Sequence, residues 1–376
     1  MAEIAHGLEG INVTATKLCR IDGLKGELVY SGYDIFDLAE RSTFEEVAFL
    51  LWNQRLPARA EFEALDKTLK AEREIGDLVN KILSEIYPVV RPMRTLEVAV
   101  EILGAQDRNS SDLTNAGLRQ TAARLTAKMA TVIATYHRLR TGQPVLAPRS
   151  DLNHATNFLY MLSGEVPGDL EARIFDVALI LHAEHEMNAS TFSAMVTGST
   201  LSDMYSATAS AIGTLKGPLH GGANEAVYHT VEAIKDERNI PTYVEALLAR
   251  GERVMGIGHS IYKTTDPRAV ILQGLGEKVA EGNPDRWYFD LSLKLRDYLG
   301  KKLEGRPLYP NVDFFSASVY KMLGIPADLY TPIFALARIT GWTAHLIEQY
   351  ADNRLVRPNA LYEGEPNRSY VAVEAR

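Results

Sequence analysis

The sequence predicts an all-α fold with one small β-hairpin near the N-terminus. Apolar residues recur at helical spacing along most of the 376-residue chain, whereas a convincing strand pattern appears only within residues 16–34. Capping residues and prolines also stand where the helical segments would begin and end. A hydrophobic content of 46% with 23% charged residues is typical of a folded globular protein. At this length we expect two domains.

The predicted hairpin is the first element of the chain. TKLCRID and ELVYSGYD are strand-like segments, and Gly23–Gly26 joins them as a short turn. These segments should therefore pair as two antiparallel strands.

Helices are predicted to follow the hairpin without further strands. Ser42-Thr43-Phe44-Glu45 reads as a capping box with Ser42 as its first residue, and Pro57 lies where the helix over 45–54 must already have ended. The next apolar pattern should be interrupted near Gly76. Helical spacing is found over residues 59–87, 118–140, 170–187 and 223–235.

Two segments have unusual compositions. Residues 187–217 are dominated by Ala, Ser, Thr and Gly, which allow helices to approach closely in an interior or a subunit interface. Residues 331–350 are apolar nearly all round and begin with Pro332 in the first turn, so they predict a buried helix. Arg338 lies in the middle of this helix, and an unpaired buried charge costs several kcal/mol. Its partner must be a protein carboxylate or a ligand.

Charge, cysteine content and the pattern of apolar runs argue against several classes of protein. A formal net charge of −8 disfavours nonspecific binding to nucleic acid or to an anionic membrane. Cys19 is the single cysteine, so no intrachain disulfide can form. The first residues, MAEIAHGLEG, do not resemble a secretory signal, and the apolar runs are too short to span a bilayer. We therefore expect a cytoplasmic protein.

His220 lies in the segment GPLHGGANEAV, just before a predicted helix that begins near Ala223. The positive end of a helix disfavours imidazolium, so this histidine should stay neutral and donate a hydrogen bond. A neutral imidazole beside glycine backbone suits the polarisation of a carbonyl oxygen. The alternative is a turn histidine that bonds to nearby backbone.

Residues 256–268, GIGHSIYKTTDPR, gather positive charge in an acidic protein. Gly256 and Gly258 precede His259, and Lys263 and Arg268 follow within ten residues. Asp266-Pro267 is a turn signal that would orient Arg268. No buried strand precedes the two glycines, which argues against a dinucleotide fingerprint. A solvated basic loop is the alternative to an anion site.

Asp313, in YPNVDFFSASVY, is a candidate base. The alternative is that Asp313 is simply the N-cap of the helix that follows. The two roles are compatible, because a capping carboxylate has the fixed position that catalysis needs. The neighbouring Phe314 and Phe315 could desolvate it, which would make it a stronger base.

HAEHEMN, residues 182–188, raises the possibility of a metal site. His182 and His185 would share a helix face, but the order with Glu186 matches no familiar zinc motif and no third ligand is evident. We therefore predict that no metal binds, and that His185 contacts a substrate instead.

Together these residues suit one task, in which arginines hold a dicarboxylate and histidines with an aspartate act on a weak carbon acid. GPLHGGAN, GIGHSIYKTTDPR and NVDFFSASVY, in this order and at these separations, resemble the citrate synthase family. The resemblance covers essentially the whole chain, from IDGLKGELVYSGYDI to FALARITGWTAHLIEQ and NRLVRPNALYEG. It implies a citrate synthase of the tricarboxylic acid cycle, which condenses acetyl-CoA with oxaloacetate and needs no permanently bound cofactor.

The resemblance also implies a role for each catalytic residue. His220 would bind the thioester oxygen of acetyl-CoA, Asp313 would remove a methyl proton, and His259 would polarise the keto oxygen of oxaloacetate. The residues that match the family's oxaloacetate contacts are His185, Arg268, Arg338 and Arg357, the last delivered from the second subunit of a homodimer. The residues expected to contact CoA are Val254, Met255, Gly256, Ile257, Gly258, Lys263, Arg306 and Asn311.

The family fold implies a large helical domain over residues 1–221 and 324–376, with a small mobile domain inserted over 222–323. Oxaloacetate would close the domains over His220, His259 and Asp313. Two alternatives remain open: a 2-methylcitrate synthase, whose propionyl-CoA differs by a single methylene, and a helical CoA-binding protein without catalysis.

Overall fold

The computed structural model describes residues 4–8, 10–306 and 308–376. In this part of the chain the fold is helical with one small antiparallel sheet, as the sequence predicts. The strands are β1 (Cys19–Asp22), β2 (Glu27–Tyr30) and β3 (Tyr33–Asp34). Strands β1 and β2 form the predicted hairpin, with Cys19 opposite Tyr30 and Asp22 opposite Glu27. The short β3 was not predicted.

The described residues form sixteen α-helices. The first eight are α1 (Ile35–Arg41), α2 (Phe44–Asn53), α3 (Arg59–Ala71), α4 (Gly76–Ile86), α5 (Pro92–Gln106), α6 (Asn115–Arg140), α7 (His154–Ser163) and α8 (Asp169–His182). The others are α9 (Ala189–Gly198), α10 (Met204–Leu215), α11 (Ala223–Ile234), α12 (Ile240–Ala249), α13 (Pro267–Val279), α14 (Arg286–Lys302), α15 (Val312–Met322) and α16 (Tyr330–Ala351).

The capping box before α2 was predicted one residue too early. Thr43, rather than Ser42, is the N-cap, and its hydroxyl accepts from the backbone amide of Glu46 at 3.3 Å. The Ser42 hydroxyl instead donates to the carboxylate of Glu46 at 2.6 Å. The predicted break near Gly76 is confirmed, because α3 ends at Ala71 and α4 begins at Gly76.

Helix α8 is shorter than predicted. It ends at His182 instead of reaching residue 187, and Glu186 adopts a left-handed backbone conformation with φ of 56°. The backbone after the helix bonds elsewhere, since Tyr30 of β2 donates its hydroxyl to the carbonyl of Glu184 at 2.7 Å. His182 and His185 therefore do not share a helix face, contrary to the prediction.

Helix α16 is the central element of the core. Its side chains from Tyr330 to Ile347 are all buried, as its composition predicts, and α2, α6, α8 and α9 pack around it. The small-residue segment forms α9 and α10, which pack closely against each other through contacts such as the 2.6 Å hydrogen bond between the hydroxyls of Ser193 and Ser210. Helices α11, α13 and α14 pack around α15 and position the loops that lead into the site.

Candidate active site

One cavity of about 670 Å³ collects the residues that the sequence singles out. Its lining includes all three predicted catalytic residues and three of the four predicted oxaloacetate contacts, namely His185, His220, His259, Arg268, Asp313 and Arg338. They come from the α8–α9 and α10–α11 connections, the loop before α13, and helices α13, α15 and α16. Residues far apart in the chain therefore meet in one space.

His220 is held in one tautomer in the turn before α11. Its Nε2 accepts a hydrogen bond from the backbone amide of Ser190 at 3.3 Å and lies 2.8 Å from the Ser190 hydroxyl. A backbone amide can only donate, so the ring proton is on Nδ1. Burial, followed by the charge of Arg338, lowers the pKa of His220 to about 4. The imidazole is thus a neutral donor, with burial rather than the helix end as the main cause.

His259 has the opposite tautomer. Its Nδ1 accepts from the backbone amide of Ile261 at 3.0 Å, so the proton is on Nε2. Burial and then the charge of Arg268 lower the pKa of His259 to about 4, which keeps this ring neutral too. The ring centroid lies 5.2 Å from that of His185 and 4.9 Å from that of Tyr262. His259 therefore presents an N–H group beside His185.

The glycines before His259 allow the loop to pair with the segment that leads into α15. Gly256 and Gly258 have φ values of 79° and 89°, in the region that favours glycine. The Gly258 backbone amide donates to the Tyr309 carbonyl at 2.7 Å, and the Asn311 backbone amide donates to the Gly256 carbonyl at 2.9 Å. A Cβ atom on Gly256 would lie 2.6 Å from a Val227 methyl carbon. This pairing fixes His259 relative to α15.

Asp313 is in the first turn of α15 but is not its N-cap. That role belongs to Asn311, whose side chain accepts from the Asp313 amide at 3.1 Å. Burial raises the pKa of the Asp313 carboxyl to about 6, although the charges of Arg268 and Arg338 oppose this effect. Its carboxylate has no hydrogen-bond partner among the described residues. A carboxylate of this kind is poised to accept a proton near neutral pH.

Arg268, in the first turn of α13, is paired with the N-cap residue of the same helix. It is 2% exposed and donates from Nε and Nη2 to Asp266 at 3.0 and 2.7 Å. Asp266 is 1% exposed and also caps α13. The proximity of this carboxylate outweighs the effect of burial, so the pKa of Arg268 is raised. The guanidinium is therefore firmly charged, and Nη1 remains for a ligand in the cavity.

Arg338 has no carboxylate partner within 4 Å among the described residues, so of the two alternatives that the sequence left open the structure does not provide the protein carboxylate. Its Nε donates to the His182 carbonyl at 2.7 Å, and its guanidinium lies over the Phe334 ring at 4.6 Å. Burial lowers the pKa of Arg338, while the charge of Glu184 acts in the opposite direction. Both terminal nitrogens lack hydrogen-bond partners in the described chain and adjoin the cavity. This arrangement suits a carboxylate ligand.

Three of the predicted contacts outside this cavity's lining have exposed side chains. Arg357 is exposed beyond α16 and donates to the Asn359 side chain at 3.2 Å. Lys263 is exposed, with Nζ bonded to the Ser260 carbonyl at 2.9 Å, and Arg306 is exposed as well.

A second cavity of about 720 Å³ is lined by Ile257 and Arg306 and reaches Leu308 and Tyr309. The other residues predicted to contact CoA lie along the adjoining loop. Val254 has a buried side chain, so its backbone is the part available to a ligand, and Met255 is half-buried. The side-chain Nδ2 of Asn311 donates to the Gly258 carbonyl at 2.9 Å. Contacts between these residues and CoA stay predictions.

The histidines of HAEHEMN are not arranged as metal ligands. His182 is fully buried, with Nδ1 bonded to the Ala178 carbonyl at 2.7 Å, whereas His185 Nε2 lies 3.2 Å from the Tyr262 hydroxyl. Among residues 4–8, 10–306 and 308–376, no three His, Cys, Asp or Glu side chains are grouped as a metal site would require. None of the described helices has the length and apolar character needed to cross a membrane.

Several contacts that shape the site were not predicted from the sequence. Ser190 orients His220, and the Trp342 indole donates to the Ser190 hydroxyl at 3.1 Å. Asp266 was predicted to orient Arg268 through a turn, but its ion pair with Arg268 and its role as the N-cap of α13 were not predicted, although an Asp before a proline is a usable cap signal. Tyr262 contacts His185 without any signal in the sequence.

The chain matches the family described as "Citrate synthase, C-terminal domain" over residues 7–359. It is 48% identical to the citrate synthase of Haloferax volcanii, covering 100% of this chain and 99% of that protein. It is 39% identical to the 2-methylcitrate synthase of Mycobacterium tuberculosis strain H37Rv, covering 97% and 92%.

A solved structure of citrate synthase from Thermoplasma acidophilum, in a ternary complex with carboxymethyl coenzyme A and oxaloacetate, superposes with a TM-score of 0.95. The two sequences are 35% identical, and the superposition covers 100% of each chain. The chain belongs to the citrate synthase family.

Proposed function

We propose that this chain condenses acetyl-CoA with oxaloacetate and water to give citrate and CoA. The observation that carries the proposal is the cavity itself, in which two neutral imidazoles, one unpaired carboxylate and two buried arginines meet. The imidazoles supply hydrogen-bond donors, the carboxylate supplies a base, and the arginines supply charge for a dicarboxylate. The names of the relatives agree with this chemistry.

Oxaloacetate binds first in this scheme. Its carboxylates pair with Arg268 and Arg338, whose unused nitrogens adjoin the cavity, and His185 adds a third contact. Two fixed cations in a cavity of low dielectric favour a dianion over a monoanion. Binding therefore places the keto group near His259.

Acetyl-CoA is then converted to its enol. Asp313 removes a methyl proton, and the Nδ1–H group of His220 donates to the thioester oxygen. Because the pKa of His220 is about 4, its imidazole is neutral near pH 7 and acts as a hydrogen-bond donor. General base catalysis of this kind contributes roughly 10²–10⁴-fold to the rate.

The new carbon–carbon bond forms when the enol carbon attacks the keto carbon of oxaloacetate. The Nε2–H group of His259 donates to the keto oxygen and stabilises the negative charge that develops there. The keto oxygen gains one proton in this step, which balances the proton that Asp313 removed from the methyl group, and the product is citryl-CoA. Water then cleaves its thioester bond and releases citrate and CoA.

Domain closure and a shared site complete the proposal. Residues 222–323 form the mobile domain, and its closure excludes water until citryl-CoA has formed. Arg357 serves the cavity of a second copy of the chain, which agrees with its exposure and with its absence from the lining of its own cavity. CoA lies along residues 254–258, with Lys263 and Arg306 near its phosphates and Asn311 beside the loop.

The test is a comparison of acyl-CoA substrates. Purified protein should release CoA from acetyl-CoA only when oxaloacetate is present, with a higher kcat/KM for acetyl-CoA than for propionyl-CoA. A strong preference for propionyl-CoA would make the chain a 2-methylcitrate synthase. CoA release that does not depend on oxaloacetate would overturn both assignments.

A further inference from the structure

Three consecutive residues before His185 are bonded to successive turns of α16. The His182 carbonyl accepts from Arg338 Nε at 2.7 Å, and the Ala183 carbonyl accepts from the Gly341 amide at 3.1 Å. Glu184 Oε1 then lies 3.0 Å from His345 Nε2. Positions 338, 341 and 345 share one face of the helix. One row of contacts therefore joins the segment that carries His185 to α16, the helix that carries Arg338.

Gly341 is required for this close approach. A Cβ atom there would lie 2.4 Å from the Ala183 carbonyl oxygen and 2.2 Å from Glu184 Oε2. On its other side, the backbone of Glu184 is held by the Tyr30 hydroxyl, which donates to the Glu184 carbonyl at 2.7 Å. Glu184 is thus clamped between β2 and α16, one residue before His185.

Glu184 and His345 form a buried hydrogen-bonded pair that the proposed mechanism does not use. Their side chains are 0% and 4% exposed, and Glu184 Oε2 has no hydrogen-bond partner among the described residues. Burial tends to lower the pKa of His345, but the charge and hydrogen bond of Glu184 outweigh this effect, so the pKa is raised from its usual value. Glu348, the other carboxylate near His345, is bonded to Thr16 and Gln54.

The charge balance explains why the pair matters for an anion site. Glu184 is close enough to Arg338 to affect its protonation, so a bare Glu184 carboxylate would cancel part of the positive charge that a dicarboxylate meets. His345 lies 3.0 Å from Glu184 Oε1, where an imidazolium would cancel the Glu184 charge. The charge of Arg338 then remains available to the ligand. Arg268 is already paired with Asp266 and offers the ligand its Nη1 group.

We propose that Glu184 and His345 are positioning residues for dicarboxylate binding, in which Glu184 anchors the His185 segment to α16 and His345 neutralises Glu184. The proposal rests on the assignment of oxaloacetate to His185 and Arg338. It assigns a role to two residues that do not touch the cavity.

The test is oxaloacetate binding measured by calorimetry on the full chain, without acetyl-CoA. His345→Gln keeps a donor for Glu184 but leaves its charge uncompensated, so the Kd should rise roughly tenfold, as for one added charge in a partly buried site. Glu184→Gln combined with His345→Gln removes both charges and keeps a hydrogen bond, so the Kd should return to within about threefold of the original. His229→Gln removes an exposed His–Glu pair on α11 and should leave the Kd unchanged.

A purely structural pair predicts the opposite pattern, because the double variant would then bind as weakly as His345→Gln or more weakly. That result, or an unchanged Kd for His345→Gln, would overturn the proposal. Should His345→Gln fail to fold, the double variant decides alone, with a Kd raised tenfold or more counting against it. Failure of the unaltered protein to bind oxaloacetate would instead reject the proposed function.

Discussion

The carboxylate of Asp266 accepts a hydrogen bond from the backbone amide of Val312 at 3.2 Å, in addition to its ion pair with Arg268. This contact joins the N-terminus of α13 to the N-terminus of α15, 46 positions later in the chain. Val312 precedes Asp313, so one buried carboxylate sets the positions of both an anion-binding arginine and the candidate base. The carboxylate that caps α13 therefore also holds Arg268 and α15 in place.

Replacing Asp266 with Ala should destabilise the protein by roughly 3–5 kcal/mol, because it leaves Arg268 buried without a counter-charge. Thermal or urea unfolding measures this loss. Asp37→Ala, at an exposed carboxylate that pairs with Arg41 on α1, is the matched control and should cost far less. A loss below about 1 kcal/mol for Asp266→Ala would show that Arg268 finds another partner.

Asp313→Ala should lower kcat for condensation by roughly 10²–10⁴-fold, because it removes the general base. CoA should still bind with its original Kd, since no phosphate contact is lost. Asp313→Asn should also raise the Tm at pH 8, because the folded protein favours the uncharged form of this group. Near-normal turnover of either variant would reject Asp313 as the base.

The pH profile of kcat/KM for acetyl-CoA should fall on the acidic side with an apparent pKa at or above about 6. The base acts as a carboxylate, its pKa is raised to about 6, and a bound dianion would raise it further. His220 and His259, with pKa values of about 4, are already neutral there and add no second limb. An acidic limb near 4 would contradict the assignment.

Arg357→Ala should raise the KM for oxaloacetate by at least roughly tenfold, as expected for the loss of a charge-assisted contact. If the residue serves a second copy, a mixture of Arg357→Ala and Asp313→Ala chains should regain part of the activity after subunit exchange, when it is assayed at an oxaloacetate concentration well below the KM of Arg357→Ala. Each mixed dimer would contain one complete cavity. Mixing without recovery, despite demonstrated exchange, would place Arg357 outside a shared site.

The fold class and much of the site were predictable from the sequence because their signals are local. The two strands around Gly23–Gly26, the break near Gly76 and the buried helix around Arg338 all follow from spacing and composition, and the structure confirms them. Where several local signals competed, the prediction failed, as at Ser42 and Thr43 before α2. The end of α8 was missed because Tyr30, far away in the chain, binds the backbone that a longer helix would have used.

By itself, the sequence determined the helical architecture and the identity of His220, His259 and Asp313 as candidates, since motif, spacing and resemblance all reside in short segments. Only the tertiary structure decided which ring nitrogen of each histidine carries the proton, that Asp266 joins Arg268 to α15, and that Glu184 meets His345. Tautomers and buried charges depend on neighbours brought together from distant parts of the chain. Desolvation and long-range pairing therefore set this site's chemistry.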